Sequence, residues 1–188
     1  MAVAFLVILA LIGVSASATS VTIASIHDEA KYGALIYVYY LISSTVTTTT
    51  PSTNTALTPP AGSGSHTLLI GSSAYLWSTQ FLAATTISSG NWLLDLWASS
   101  LLGGSMTVSI YITDSSGAVQ STIVNGGTTN AIGASNGQVA TSFSGSQVSV
   151  PSNGYIEVVL TIPAVSTMTL YWGVAQLTNF QVPKTVLS

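Results

Sequence analysis

Cysteine is absent from this 188-residue sequence, so disulfides, thiolate nucleophiles and cysteine-based metal sites are excluded, while the redox compartment stays undetermined. Charge is nearly as scarce. Two Lys/Arg and five Asp/Glu give a formal net charge of -3, too few for the mixed charged surface of an ordinary soluble domain. A nucleic-acid binder needs Lys and Arg to displace counterions from phosphates, and Lys31 and Lys184 alone exclude DNA or RNA as a partner. Only Ser, Thr, Gly, Asn and Gln remain to cover a chain that is 48% hydrophobic. Such a surface repels copies of itself weakly, and salt or pH finds little on it to screen or titrate.

Catalytic patterns are missing as well. The histidines are His27 and His66, and the one Gly-x-Ser-x-Gly stretch, Gly133-Ala134-Ser135-Asn136-Gly137, carries the Asn-Gly of a turn between short strands rather than a strand-to-helix elbow that presents a serine nucleophile. Asp95 and Glu157 are a conceivable carboxylate pair for glycoside hydrolysis, but scattered carboxylates more often accept local hydrogen bonds. Phosphate-binding glycine loops and dinucleotide fingerprints find no match. The sequence therefore predicts no catalytic residue, no metal, no cofactor and no small-molecule substrate: a structural protein rather than an enzyme. No Asn-x-Ser/Thr sequon occurs, though the hydroxyl-rich stretches are compatible with O-linked sugars.

What the chain does have is an apolar start. Met1 to Gly13 is uninterrupted apolar sequence, and Ala16-Ser17-Ala18 imitates a secretory cleavage site, yet no Lys or Arg precedes the run. A second apolar run, Tyr32 to Ile42, follows the polar patch His27, Asp28, Glu29, Ala30, Lys31. One continuous helix from Met1 to about Ser43 would be about 65 Å long at about 1.5 Å per residue. Being apolar nearly all round, it would need lipid or other helices about it. Within the patch, Asp28 and Lys31 can pair at i,i+3. The β-branched residues from Val21 to Ile26 favour a local break or an extended stretch.

Pro51 and the Ser/Thr-rich residues around it end the apolar run, Thr45 to Thr50 is compatible with a strand because Val and Thr favour extended structure, and Thr58 to Ser65 reads as a turn or linker. From His66 onward, short strands alternate with Gly, Asn and Ser at spacings near ten residues: His66 to Ile70, Tyr75 to Phe81, Asn91 to Ala98, Met106 to Thr113, Val119 to Val124, Val139 to Phe143, Gln147 to Val150, Tyr155 to Ile162 and Met168 to Ala175. That rhythm points to a sandwich or barrel. In the third of these, Trp92, Leu94 and Leu96 share one face, which leaves Asp95 and Trp97 together on the other.

An apolar segment, Met1 to Ile42, joined to a β-domain resembles an archaeal type IV pilin or a related archaeal flagellar-filament subunit. The resemblance implies a charged leader removed before residue 1 and an α+β fold, with a long apolar N-terminal helix (1–44), a linker (45–65) and an antiparallel, Ig-like β-sandwich (66–188). It implies an extracellular, cell-surface filament serving adhesion, whose partners are many copies of this chain and, before assembly, the membrane. Phe5, Leu6, Ile8, Leu9, Leu11, Ile12, Leu35, Ile36, Tyr39 and Tyr40 would polymerise the helices, and His27, Asp28, Glu29 and Lys31 would make polar contacts between subunits. Trp92, Trp97, Tyr171 and Trp172 would join β-domains. Two other readings use the same residues: a membrane-anchored surface module that binds a carbohydrate or protein, and a filament in which Val14 to Ile26 is donated as a strand.

Overall fold

A period of two in the apolar positions governs the folded part of the chain. The computed structural model describes residues 37–164, 166–183 and 185–186, and all regular structure among them is β-strand. These residues lie in one compact unit that begins at residue 36. In chain order the strands are β1 (Tyr37–Leu41), β2 (Thr55–Ala56), β3 (Gly64–Leu68), β4 (Ser73–Trp77), β5 (Thr85–Ile87), β6 (Gly90–Ser100) and β7 (Thr107–Thr113). They continue with β8 (Val119–Thr128), β9 (Gly137–Gly145), β10 (Val148–Val150), β11 (Tyr155–Thr161), β12 (Met168–Trp172), β13 (Asn179–Val182) and β14 (Thr185–Val186).

A seven-stranded sheet runs β2-β1-β13-β6-β12-β3, with β9 paired to β6 off this path. Both β12 and β13 lie along one edge of β6: Met168 to Tyr171 stand opposite Ser100 to Trp97, and Asn179 to Gln181 opposite Asp95 to Leu93. The other edge of β6 is taken by β9 from Gly90 to Ala98. A four-stranded sheet is ordered β4-β11-β7-β8, and a small third sheet β10-β5-β14. One core joins the two larger sheets. Trp92, Leu94 and Leu96 of β6, Val108, Ile110 and Ile112 of β7, and Ile156, Val158 and Leu160 of β11 are all buried in it.

Two expectations are corrected here. The fold is all-β among the described residues, a curled antiparallel arrangement, and not an α+β chain with a helix running through residue 44 into an Ig-like sandwich. Tyr37–Leu41, expected as helix, is a strand of the large sheet. The physical reason is the Tyr-Val-Tyr-Tyr-Leu sequence, whose β-branched and aromatic residues suit a pleated surface. Tyr39 and Leu41 point into the core, where Tyr39 stacks on Phe180 at 4.9 Å between ring centroids. Burial raises the Tyr39 hydroxyl pKa well above its ordinary value.

The stretch expected as a linker packs as a strap. Val46 is buried and its carbonyl accepts from Tyr75 N at 2.6 Å. Asn54 continues this cover on β4: its Nδ2 donates to Tyr75 O at 2.7 Å and to Thr45 O at 2.9 Å, and its Oδ1 accepts from Trp77 N at 2.8 Å. The Trp77 indole in turn donates to Thr48 O at 3.1 Å. Asp114 closes the β7–β8 turn, where its Oδ1 accepts from Ser116 N and Oγ and from Ala118 N while Gly117 takes a positive φ of 89°.

Candidate functional site

Residues directly opposite in an antiparallel ladder share a face, so the registers define what the large sheet presents on its outer side. One row across the strands reads Ser65, Tyr171, Trp97, Gln138. The next reads Tyr40, Asn179, Asp95, Ala140, and a third Val38, Gln181, Leu93, Ser142. Tyr40, Asp95, Trp97, Tyr171 and Asn179 therefore come from four strands, β1, β6, β12 and β13, of which only the last two are neighbours in sequence.

Between β12 and β13 the chain turns out of the sheet, with Gln176 N donating to Gly173 O at 3.1 Å. Thr178 plugs the gap: its hydroxyl donates to Tyr171 O at 2.6 Å and accepts from Trp97 N at 2.9 Å. The turn and the rows together enclose a depression of about 300 Å³, lined by Tyr40, Asp95, Trp97, Gln138, Leu177 and Asn179 among others. Val174, on the turn, is 70% exposed at its rim.

Polar groups here are partly matched to one another. Gln138 Nε2 donates to Asp95 Oδ2 at 2.8 Å, Gln181 Nε2 to Asn179 Oδ1 at 3.3 Å, and Asn179 Nδ2 to Leu177 O at 2.7 Å. Tyr171 and Ser99 share a hydroxyl hydrogen bond of 3.0 Å. Asp95 Oδ1, however, is shielded from solvent and has no donor among the described residues.

Of the tryptophans and tyrosine expected to join β-domains, Trp97 and Tyr171 lie side by side on this outer face, half-buried, whereas Trp92 and Trp172 are in the core. Tyr40 also reaches the outer face, and Tyr39 is internal. Phe5, Leu6, Ile8, Leu9, Leu11, Ile12, Leu35 and Ile36, and the patch His27, Asp28, Glu29 and Lys31, lie outside the described residues. Sequence reasoning missed Asn179, Gln138 and Gln181, because only cross-strand register brings them to Asp95.

Asp95 and Glu157 do not form a pair, since they occupy the outer sides of different sheets across the shared core. Glu157 alternates with Ile156 and Val158 on β11 and sits between Trp77 and Tyr111 on the neighbouring strands. It is 7% exposed, and burial pushes its carboxyl up from 4.5 to about 7. A raised carboxyl pKa means stability is greatest below the unfolded value and is lost as pH climbs from about 4.5 to about 7. Glu157→Gln removes that penalty. Urea denaturation should show the variant more stable than the parent by roughly 1–2 kcal/mol at pH 8, after discounting for partial solvation of the carboxyl, and equal to it near pH 4. An identical difference at both pH values would reject burial of an ionisable group as the cause. Among the described residues no three His, Cys, Asp or Glu cluster as metal ligands.

The architecture defines an all-β domain with a ligand-sized depression on one sheet face. No family model matches the sequence, and no curated protein does either. Among solved structures it is similar to a CocE/NonD family hydrolase from Staphylococcus aureus, at TM-scores of 0.60 and 0.61 in two structures with 10% and 11% identity. An aminopeptidase from a marine sediment archaeon, Thaumarchaeota archaeon, is similar at a TM-score of 0.52 and 7% identity. Each match covers 81% of this chain but 37% of the other, so the chain spans just over a third of those proteins' length. What is shared at such identities is the fold, one carried by hydrolase-family proteins. This likeness, with strand where the helix was expected, overturns the resemblance to archaeal type IV pilins.

Proposed function

We propose that the domain is a non-catalytic binding module for a neutral, polyhydroxylated ligand, a glycan chain, held on the outer face of the seven-stranded sheet. The carrying observation is a depression that gathers the polar side chains of Asp95, Gln138 and Asn179 with Trp97 and Tyr40, flanked by Tyr171. Sugars present both apolar C–H faces and hydroxyl edges. Aromatic rings with a polar handle bind the first, and carboxylate and amide side chains bind the second. The scarcity of charge fits an uncharged ligand.

The described residues combine no nucleophile, base and oxyanion donors at this face, so the chemistry it supports is recognition. The apolar sequence ahead of Tyr37 would present the module at a cell surface.

Binding of the full chain to a panel of neutral oligosaccharides, followed by calorimetric titration of the best ligand, tests the proposal. Trp97→Ala should weaken that binding by about 10- to 100-fold, the loss of one central aromatic contact, with the thermal transition little changed. Asp95→Asn should weaken it less while preserving shape. Absence of binding to any glycan, or a Trp97→Ala variant that binds like the parent, would sink the assignment.

A further inference from the structure

We propose that the depression at Asp95 is one half of an open-ended groove that crosses the seven-stranded sheet and holds an internal stretch of a linear neutral glycan, an inference that rests on the glycan reading above. A second depression, of about 450 Å³, lies against the end of β1 and the β2–β3 loop, lined by Ile42, Ala56, Pro59, Pro60, Ser63 and Trp172 among others. Two residue pairs join it to the first. Ala56 stands directly opposite Tyr40, which lines the first depression, and residues so placed have Cβ atoms about 5 Å apart on one face. One step further along β1, Leu41 N donates to Thr178 O at 2.9 Å, which brings Ile42 of the second depression level with Leu177 of the first.

The row Ala56, Tyr40, Asn179, Asp95, Ala140 therefore crosses β2, β1, β13, β6 and β9, over about 19 Å at about 4.8 Å per strand. That is room for several sugar units end to end. Among the described residues neither end of the path is capped, since Ala140 at one end and Pro59 at the other are exposed. A site built for a chain terminus would be closed at one of them.

The two halves match the two aspects of a sugar chain. Around Asp95 the groove offers carboxylate and amide groups beside Trp97 and Tyr40, whereas the second half is mostly apolar, with the hydroxyls of Thr58 and Ser63. Its wall is stiff. Pro59 and Pro60 fix φ at two successive residues and Pro59 holds Thr58 extended, so the β2–β3 loop has little freedom to lose on binding. Gly173 packs so closely on Ser63 that a Cβ there would collide with it, which ties this loop to the turn that walls the first depression. An extended peptide fits the path less well. It binds sheets through main-chain hydrogen bonds along a free edge, and this path runs over the face, across strands whose main-chain groups already serve their own ladders.

The test takes the full chain and oligosaccharides of two to six units: β-1,4-linked gluco-, xylo- and manno-series and an α-1,4-linked gluco-series. Affinity within the series that binds should rise about tenfold or more from two units to five and then level off. A hexasaccharide modified at both ends should bind like the unmodified one. Amide resonances of Ala56, Ala61 and Ser63 should shift with the hexasaccharide and stay in place with the disaccharide, while those of Asp95 and Trp97 shift with both. Ala56→Trp, which fills the second depression, and Ile42→Ser, which removes part of its apolar wall, should each cut the gain with length to about threefold or less.

Four outcomes would overturn the proposal. Binding as tight for two units as for six, with shifts confined to the Asp95 side, would leave the glycan module standing and reduce the groove to its first half. Loss of binding on modifying the chain ends would make it a terminus site. A gain with length that survives both substitutions and moves no resonance at Ala56 would come from the number of registers a long chain offers to one small site. No binding to any series would remove the glycan reading and the groove with it.

Discussion

Trp92→Ala should destabilise the domain by about 3–5 kcal/mol, enough to leave most small β-domains largely unfolded at ordinary temperature. Trp92 lies in the middle of the inner face, 1% exposed, on the strand that pairs with three others. Its cross-strand partner is Phe143, and a Cβ on Gly145 would lie 2.5 Å from its indole nitrogen. Backbone and the Phe143 ring on the paired strand can collapse only in part into the space a truncated indole leaves. The indole N–H has no acceptor among the described residues, so it adds nothing to the stabilisation. Trp92→Phe keeps most of the ring and discards that unpaired donor, and it should cost less than about 1.5 kcal/mol. Chemical denaturation of the two variants separates volume from polarity. A Trp92→Ala domain within about 1 kcal/mol of the parent would show that the sheets close over the gap.

Asn54→Asp should cost about 3 kcal/mol despite identical shape, because two donors become acceptors. Asn54 is 1% exposed and performs the work of a neighbouring strand along the free edge of β4, bonding one carbonyl and one N–H of that strand as well as Thr45 O. An aspartate there still accepts from Trp77 N but faces Tyr75 O and Thr45 O with oxygen. The strap should loosen before the core does, exposing the Trp77 indole. Tryptophan fluorescence should then change at lower denaturant than circular dichroism. Coincident transitions at the parent's midpoint would show that the strap contributes nothing to stability.

Most of the β-domain was legible in the sequence because one face of each central strand is buried, which writes period two into Ile156-Glu157-Val158-Val159-Leu160 and Val108-Ser109-Ile110-Tyr111-Ile112. Each of the nine segments picked out from alternation and turn residues overlaps an observed strand, with ends displaced by up to four residues. The failure at Tyr37–Leu41 has a physical source: five consecutive large side chains read equally well as the end of an apolar helix or as a strand. Only Phe180 and Asn179, about 140 residues away in sequence, decide it by offering a partner edge. Strands β2, β5, β13 and β14 were missed for a related reason, being short pieces stabilised by neighbours rather than by their own pattern. In the candidate site, Asp95 and Trp97 were visible as two residues apart on an outer face. Their companions were not, since register with β9 and β13 is a tertiary property.

The pairing of β6 with β9, β12 and β13 also sets the order of events during synthesis. β1 joins the large sheet through β13, so residues made first wait for residues 179–182, and β3 waits likewise for β12. Local hairpins such as β7 and β8 can form early, but the large sheet cannot close until nearly the whole described chain has left the ribosome. A nascent chain held open that long, with little charge to keep copies apart, leaves its apolar strand faces and unpaired edges exposed to those of other copies.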